Sequence, residues 1–256
     1  MPKLDIEQFS CLSDNYAVLI HDEEAGMTAS IDAPDADAIL QHLAAKGWRL
    51  THLLVTHHHG DHTGGNLKLK EATGCMVIGP KGEAERIPGI DRAVGEGDVV
   101  TFGHFEIRVL DTPGHTVGHI SYWIPEARVA FVGDTLFAMG AGRVFEGNAE
   151  MMWNSLKKIM ALPPDTEIYC GHEYTAANAQ FALTVDPDNI ALQHRAKEVG
   201  ELRAKGQPTL PTRLDRELET NPFLRPNVTA IRSKLGLPFA PDWKVFAEIR
   251  ERKNRA

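Results

Sequence analysis

Short apolar runs broken by turn residues fill the first thirty residues, apolar positions then recur at helical spacing, and short runs return after that. Short apolar-rich segments at 3–9, 16–21 and 27–32, each bounded by turn residues, predict strands. Residues 35–46 carry Ile39, Leu40 and Leu43 at helical spacing, begin acidic and stop at Gly47, which predicts a helix. A buried strand over 51–56, a helix over 63–72 with Gly74 as its stop, and a strand over 75–78 follow. The segment 95–132 is nearly all strand, at 98–101, 105–110, 120–124 and 128–132, and a further strand closes at 167–170. Beyond it the pattern turns helical, at 175–184, 188–205, 227–235 and 243–253, with Pro-rich stretches at 207–212 and 221–226 between helices. Strands alternating with helices and then helices alone predict an α/β domain followed by a helical appendage.

Composition alters this picture little. A chain of 256 residues is long enough to bury a real core, and its net charge of -8 argues against nucleic acid or an anionic membrane as the main partner. No apolar run is long enough to span a bilayer and the first residues, Met1-Pro2-Lys3-Leu4-Asp5, show no signal-like segment, so a cytoplasmic location is expected. Cys11, Cys75 and Cys170 are far apart with no CxxC spacing and read as buried free thiols.

The chemistry concentrates where strands end. After Leu53-Leu54-Val55 comes Thr56-His57-His58-His59-Gly60-Asp61-His62. On extended backbone His57 and His59 share one side, while Asp61 and His62 lie past Gly60 in a turn that aims them elsewhere, so the stretch suits two adjacent ions. His58 points to the opposite side and is not counted as a ligand. The same context returns at Thr112-Pro113-Gly114-His115-Thr116, at Gly133-Asp134-Thr135 after Val129-Ala130-Phe131-Val132, and at Gly171-His172-Glu173-Tyr174 after Ile168-Tyr169-Cys170. Singly, Asp134 reads as a turn or capping residue and His172 as a satisfied histidine; jointly, they read as a ligand set at strand ends.

Seven ligands, His57, His59, Asp61, His62, His115, Asp134 and His172, suit two divalent cations, zinc first with iron or manganese as alternatives. His57, His59 and His115 are assigned to one ion, Asp61, His62 and His172 to the other, and Asp134 bridges. A hydroxide held between the ions would be a nucleophile at neutral pH, which makes hydrolysis the expected reaction and Asp61 and Asp134 its catalytic carboxylates. No GxSxG elbow or phosphate-binding loop competes, and Gly95-Glu96-Gly97 and Gly140-Ala141-Gly142 read as turns.

The set THxHxDH, TPGHT, GDT and GHEYT resembles the metallo-β-lactamase superfamily. With Gly140–Gly147 (GAGRVFEG), Gly171–Thr175 and Asn221-Pro222-Phe223-Leu224-Arg225, it resembles the hydroxyacylglutathione hydrolases (glyoxalase II) in particular, over almost the whole chain. The resemblance implies an α/β fold, an αββα sandwich with a C-terminal helical domain, divided as a catalytic domain over 1–173 and a substrate-binding domain over 174–256. Asp32, in an opening strand, is expected behind the ligands rather than among them. The implied reaction is hydrolysis of S-(2-hydroxyacyl)glutathione thioesters, such as S-D-lactoylglutathione to D-lactate and glutathione, by a monomer. Arg143, Phe145 and Tyr174 would line the glutathione groove, and Arg250 and Lys253 would meet its carboxylates. Some members have Lys where Arg143 stands and Tyr where Phe145 stands, which leaves Phe145 as a packing surface. Arg250 and Lys253 also read as a solvated helix end. The alternatives within the superfamily are a mononuclear iron glutathione-persulfide dioxygenase and a lactonase or general thioesterase.

Overall fold

The computed structural model describes residues 3–256; Met1 and Pro2, part of the stretch read above for a signal-like segment, lie outside the described residues. The described chain divides into two compact units, one running to residue 111 with 116–133 and the other of 112–115 with 134–256.

The first unit contains β1 (Leu4–Cys11), β2 (Asn15–Asp22), β3 (Met27–Ile31), α1 (Ala36–Lys46), β4 (Leu50–Leu54), α2 (Gly60–Thr63), α3 (Asn66–Thr73), β5 (Met76–Pro80), β6 (Arg92–Val94), β7 (Val99–Phe102), β8 (Phe105–Asp111), β9 (Ile120–Ile124) and β10 (Val129–Phe131). Strands β1 to β6 lie in chain order in one sheet, antiparallel as far as β3 and parallel from there to β6. Parallel central strands are buried on both faces, which is why β4 runs into an unbroken apolar stretch, Leu53-Leu54-Val55. Ile39 and Leu43 of α1 and Leu69 of α3 cluster with Leu19, Leu53 and Val77 of this sheet. Strands β7 to β10 form an antiparallel meander. The Tyr122 hydroxyl in β9 donates to the Val55 carbonyl at 2.8 Å, tying the meander to the end of β4.

The helix expected over 63–72 is two helices, α2 and α3. The break at Gly64-Gly65 follows from a staple: the N–H of Gly65 donates to the Ala33 carbonyl and the N–H of Ala33 to the His62 carbonyl, each at 2.8 Å. The ligand turn is thereby fastened to the end of β3.

The second unit holds β11 (Leu136–Phe137), β12 (Gly140–Ala141), α4 (Ala149–Met160), β13 (Glu167–Tyr169), α5 (Thr175–Val185), α6 (Ile190–Ala204), β14 (Thr212–Arg213), α7 (Leu214–Thr220), α8 (Thr229–Leu235) and α9 (Asp242–Asn254). Strands β11 and β12 pair as a small hairpin, so Gly140-Ala141, read from the sequence as a turn, is a strand. Helix α4 lies outside the sequence expectations, although Met152, Trp153, Leu156 and Ile159 bury one face and Asn148 caps it by accepting from the Met151 N–H. Helix α7 was likewise not expected; it runs straight into a 3₁₀ turn, Pro222–Leu224. Ala179, Ala182, Leu192 and Val199 of α5 and α6 pack around Met139. All three cysteines are buried and free, as read from the sequence.

Candidate functional site

In the first unit the site is built backwards from Asp32, whose left-handed backbone (φ 57°) turns its carboxylate towards the end of β4. Its Oδ1 accepts the Thr56 N–H at 2.7 Å and its Oδ2 accepts the Thr56 hydroxyl at 2.8 Å. Because that hydroxyl proton is committed, the Thr56 oxygen is an acceptor towards His57 Nδ1 at 3.0 Å, so His57 carries its proton on Nδ1 and presents a lone pair on Nε2. Asp32 Oδ2 also accepts from His62 Nδ1 at 2.8 Å, which leaves His62 Nε2 as a lone pair too. One buried carboxylate thus sets the tautomer of two histidines. Asp32, His57 and His62 are all buried, and their donor atoms lie close enough to gather round one ion.

His57 Nε2 sits 3.2 Å from His59 Nδ1. Two nitrogens bound at zinc-type distances under a near-tetrahedral angle lie about 3.3 Å apart, so this pair fits a shared cation. His62 Nε2 and Asp61 Oδ2 stand 3.7 Å apart, and the Asn15 amide holds Asp61 by donating to its carbonyl at 3.1 Å and to Oδ2 at 3.3 Å. His58 does not join the set. Its Nδ1 and its N–H are bound to the two oxygens of buried Glu83, at 2.9 and 3.1 Å, and Glu83 also accepts from the Thr116 hydroxyl at 3.2 Å. Gly133, the residue before Asp134, has φ 45°, and a Cβ there would come within 2.6 Å of both His119 Nε2 and the Thr56 hydroxyl. His119 itself stacks on His57 at 4.9 Å.

In the second unit, one oxygen of Asp134 lies between two imidazoles. Asp134 Oδ2 is 3.4 Å from His115 Nε2 and 3.3 Å from His172 Nε2, longer than an ordinary N–H to oxygen bond. His115 donates from Nδ1 to the Arg143 carbonyl at 2.9 Å, so its Nε2 is again a lone pair. A nitrogen and an oxygen on the same zinc-type ion lie about 3.3–3.4 Å apart. The Asp134 oxygen and the two imidazole nitrogens are thus spaced as donors to zinc-type cations are, and imidazole with carboxylate is a donor set that fits divalent ions.

The residues expected to bind substrate flank these ligands. Phe145, 61% exposed, meets the His115 ring edge-on at 5.2 Å. Tyr174 stacks on His172, 4.8 Å away and nearly parallel, and meets Phe137 edge-on at 5.3 Å. Arg250 is no solvated helix end: it lies on the buried face of α9, its Nη1 donates to the Ala141 carbonyl at 2.7 Å, and its guanidinium covers the Phe223 ring at 5.2 Å. Burial, and then the neighbouring charge of Arg143, push its pKa down to about 10. Lys253 is also lowered, by burial and then by Arg250 and Arg143. Arg143, Arg250 and Lys253 thus gather three cationic groups in one neighbourhood. Sequence reasoning did not find the tautomer-setting role of Thr56, the Asn15 bond to Asp61, or Glu83; each acts through a partner far away along the chain.

Comparison with known proteins places these features in context. The model of the metallo-beta-lactamase superfamily matches residues 22–172, and that of the hydroxyacylglutathione hydrolase C-terminus matches residues 173–256. The hydroxyacylglutathione hydrolase of Brucella ovis is 58% identical over 252 residues, 98% of this chain and 98% of the relative. The crystal structure of ETHE1 from Myxococcus xanthus superposes with a TM-score of 0.70 at 29% identity, covering 98% of this chain and 91% of that one. A crystal structure of TTHA1623 in a di-iron-bound form superposes with a TM-score of 0.56 at 28% identity, covering 67% of this chain and 91% of that one.

Proposed function

The chain belongs to the hydroxyacylglutathione hydrolases, metal-dependent hydrolases of the metallo-beta-lactamase superfamily, and from that membership we propose that it cleaves S-(2-hydroxyacyl)glutathione thioesters, with S-D-lactoylglutathione as the representative substrate. His57, His59 and His115 would hold one ion, Asp61, His62 and His172 the other, and Asp134 would be shared. The observation that carries the reading is the single Asp134 oxygen set 3.4 Å from His115 Nε2 and 3.3 Å from His172 Nε2. Zinc is the first choice of metal for this nitrogen-rich set, with iron or manganese compatible.

When bound, paired divalent ions lower the pKa of an intervening water to about 7 and polarise the carbonyl to be attacked. The rest of the work falls to the chain. Asp32 and the Arg143 carbonyl hold His62, His57 and His115 in the tautomer that leaves a lone pair for metal. Asn15 fixes the Asp61 carboxylate. Arg143, Phe145 and Tyr174 line the glutathione groove, and Arg250 and Lys253 receive the glutathione carboxylates. Water adds to the thioester carbon, the carbon–sulfur bond breaks, and glutathione leaves as a thiolate; with a thiol pKa near 8.5, about that of free cysteine, it needs no strong protein acid. In this reading 1–173 is the catalytic domain, 174–256 the substrate-binding domain, and the enzyme a cytoplasmic monomer. No helix among the described residues is long and apolar enough to cross a membrane.

The test is S-D-lactoylglutathione hydrolysis with metal content measured on the same sample. Two ions per chain and rapid turnover are expected, with Asp134→Ala losing one ion and about a hundredfold or more in kcat, the range for removing a group that organises the reacting charge. An Asp134→Ala enzyme that keeps both ions and full rate overturns the bridging role, and a wild-type enzyme with one iron that oxidises glutathione persulfide overturns the hydrolase reading.

A further inference from the structure

The motif Asn221-Pro222-Phe223-Leu224-Arg225 holds no metal ligand or substrate-facing residue of the proposed site, yet it is among the most deeply buried parts of the second unit. Asn221, Phe223 and Glu217, the last one turn upstream in α7, are fully buried. The Asn221 amide nitrogen donates to the Gly140 carbonyl at 2.9 Å and the Phe137 carbonyl at 3.2 Å, the two residues that pair at the tip of the β11–β12 hairpin. It also donates to Glu217 Oε2 at 3.0 Å, and the same oxygen accepts the Met139 N–H at 2.9 Å, where the backbone is left-handed at φ 53°. Glu217 Oε1 is neutralised by Arg195 and accepts from the Thr212 hydroxyl. Phe223 lies under the Arg250 guanidinium, which itself donates to Ala141 in β12.

We propose that Asn221 and Glu217 are positioning residues for recognition of the glutathione part of the substrate: they pin the hairpin tip, which carries Phe137 against Tyr174 and offers the Ala141 carbonyl that aims Arg250. The base of the hairpin has its own anchors. The Gly142 N–H donates to Thr135 at 3.1 Å, the Thr135 hydroxyl to Thr112 at 3.3 Å, and a Cβ on Gly142 would come within 1.9 Å of the Asp134 carbonyl. Releasing the tip therefore loosens the grip on the distal substrate while the Asp134 end stays in place. Buried amide donors with three acceptors are costly to lose and geometrically selective, which suits a part whose task is to hold a position.

The inference rests on the glutathione-thioester reading, so the experiment separates the two. Asn221→Ser keeps a side-chain oxygen for the Phe223 N–H, which Asn221 accepts at 3.0 Å, and removes the donating amide without adding a charge beside Glu217. Steady-state kinetics are measured on S-lactoylglutathione and on the S-lactoyl ester of N-acetylcysteamine, which has no glutathione carboxylates, with metal content alongside. The variant is expected to hold its metal, to raise KM for the glutathione thioester about tenfold, roughly the worth of one buried hydrogen bond, and to leave kcat/KM for the short thioester within about twofold. If Asn221→Ser fails to fold, Asn221→Thr is read in the same way. An unchanged KM, or an equal loss on both substrates with loss of metal, overturns the positioning role. A wild-type enzyme that prefers the short thioester would instead overturn the substrate reading and leave the hairpin contacts without this purpose.

Discussion

Asp32 is the residue on which most local order at the ligand turn depends, though it donates nothing to a metal in this reading. Its two oxygens accept from the Thr56 backbone, the Thr56 hydroxyl and His62, and through the hydroxyl they also decide where His57 keeps its proton. Groups behind a ligand are worth about 10–100-fold in metal affinity. Asp32→Ala should therefore lower metal affinity by that factor in competition with a chelator, and kcat should fall with occupancy and recover at saturating metal. Undiminished affinity would show that the histidines orient themselves. In the same way Glu83, bound to the ring and N–H of His58, explains why the middle histidine of the HHH run stays out of the ligand set.

At the scale of elements, ligands stand where strands end because the strand fixes the backbone and the turn aims the side chain. The turn after β10 shows how tightly this is specified. Gly133 is left-handed at φ 45° with His119 and Thr56 both 2.6 Å from where a Cβ would be. Gly133→Ala combines backbone strain with a clash against two immobile groups, and a loss of about 2–4 kcal/mol is expected by denaturant unfolding. Loss of metal should accompany it, since His119 stacks on His57. A variant as stable as the parent would mean that the turn relaxes freely. A second turn, between β7 and β8, is tied to the end of β2: buried Asp22 Oδ2 accepts from the His104 N–H at 2.7 Å and pairs with its ring at 2.9 Å. Burial by itself raises the Asp22 carboxyl, but the bonds from His104 and from the Ala25 N–H outweigh it and hold it below the ordinary carboxylate range. The sign follows: a carboxyl lowered in the folded state adds stability above its ordinary pKa and loses it as pH falls through the folded value. Asp22→Asn should be less stable than the parent at neutral pH, with the gap closing below about pH 4. A gap independent of pH would assign the effect to packing.

For the molecule as a whole, family membership and the local pattern agree, and the reasons for agreement differ from part to part. The α/β alternation, the histidine-rich turn and the later His and Asp motifs are readable along the chain because strand, turn and ligand are neighbours in sequence, and period-two burial with turn residues is a local signal. Helix α4 was equally legible in its Asn148 cap and apolar spacing. Other features had no local trace. Gly140-Ala141 is a strand because Leu136-Phe137 pairs with it, and Arg250 is buried because Phe223 and Ala141 receive it. The sequence by itself determined where along the chain the histidines and carboxylates of the proposed site are delivered. Only the tertiary structure decided their protonation, their aim and their neighbours, because hydrogen bonds such as Asp32 to His62 or Asn221 to Gly140 join residues that lie 30 and 81 positions apart.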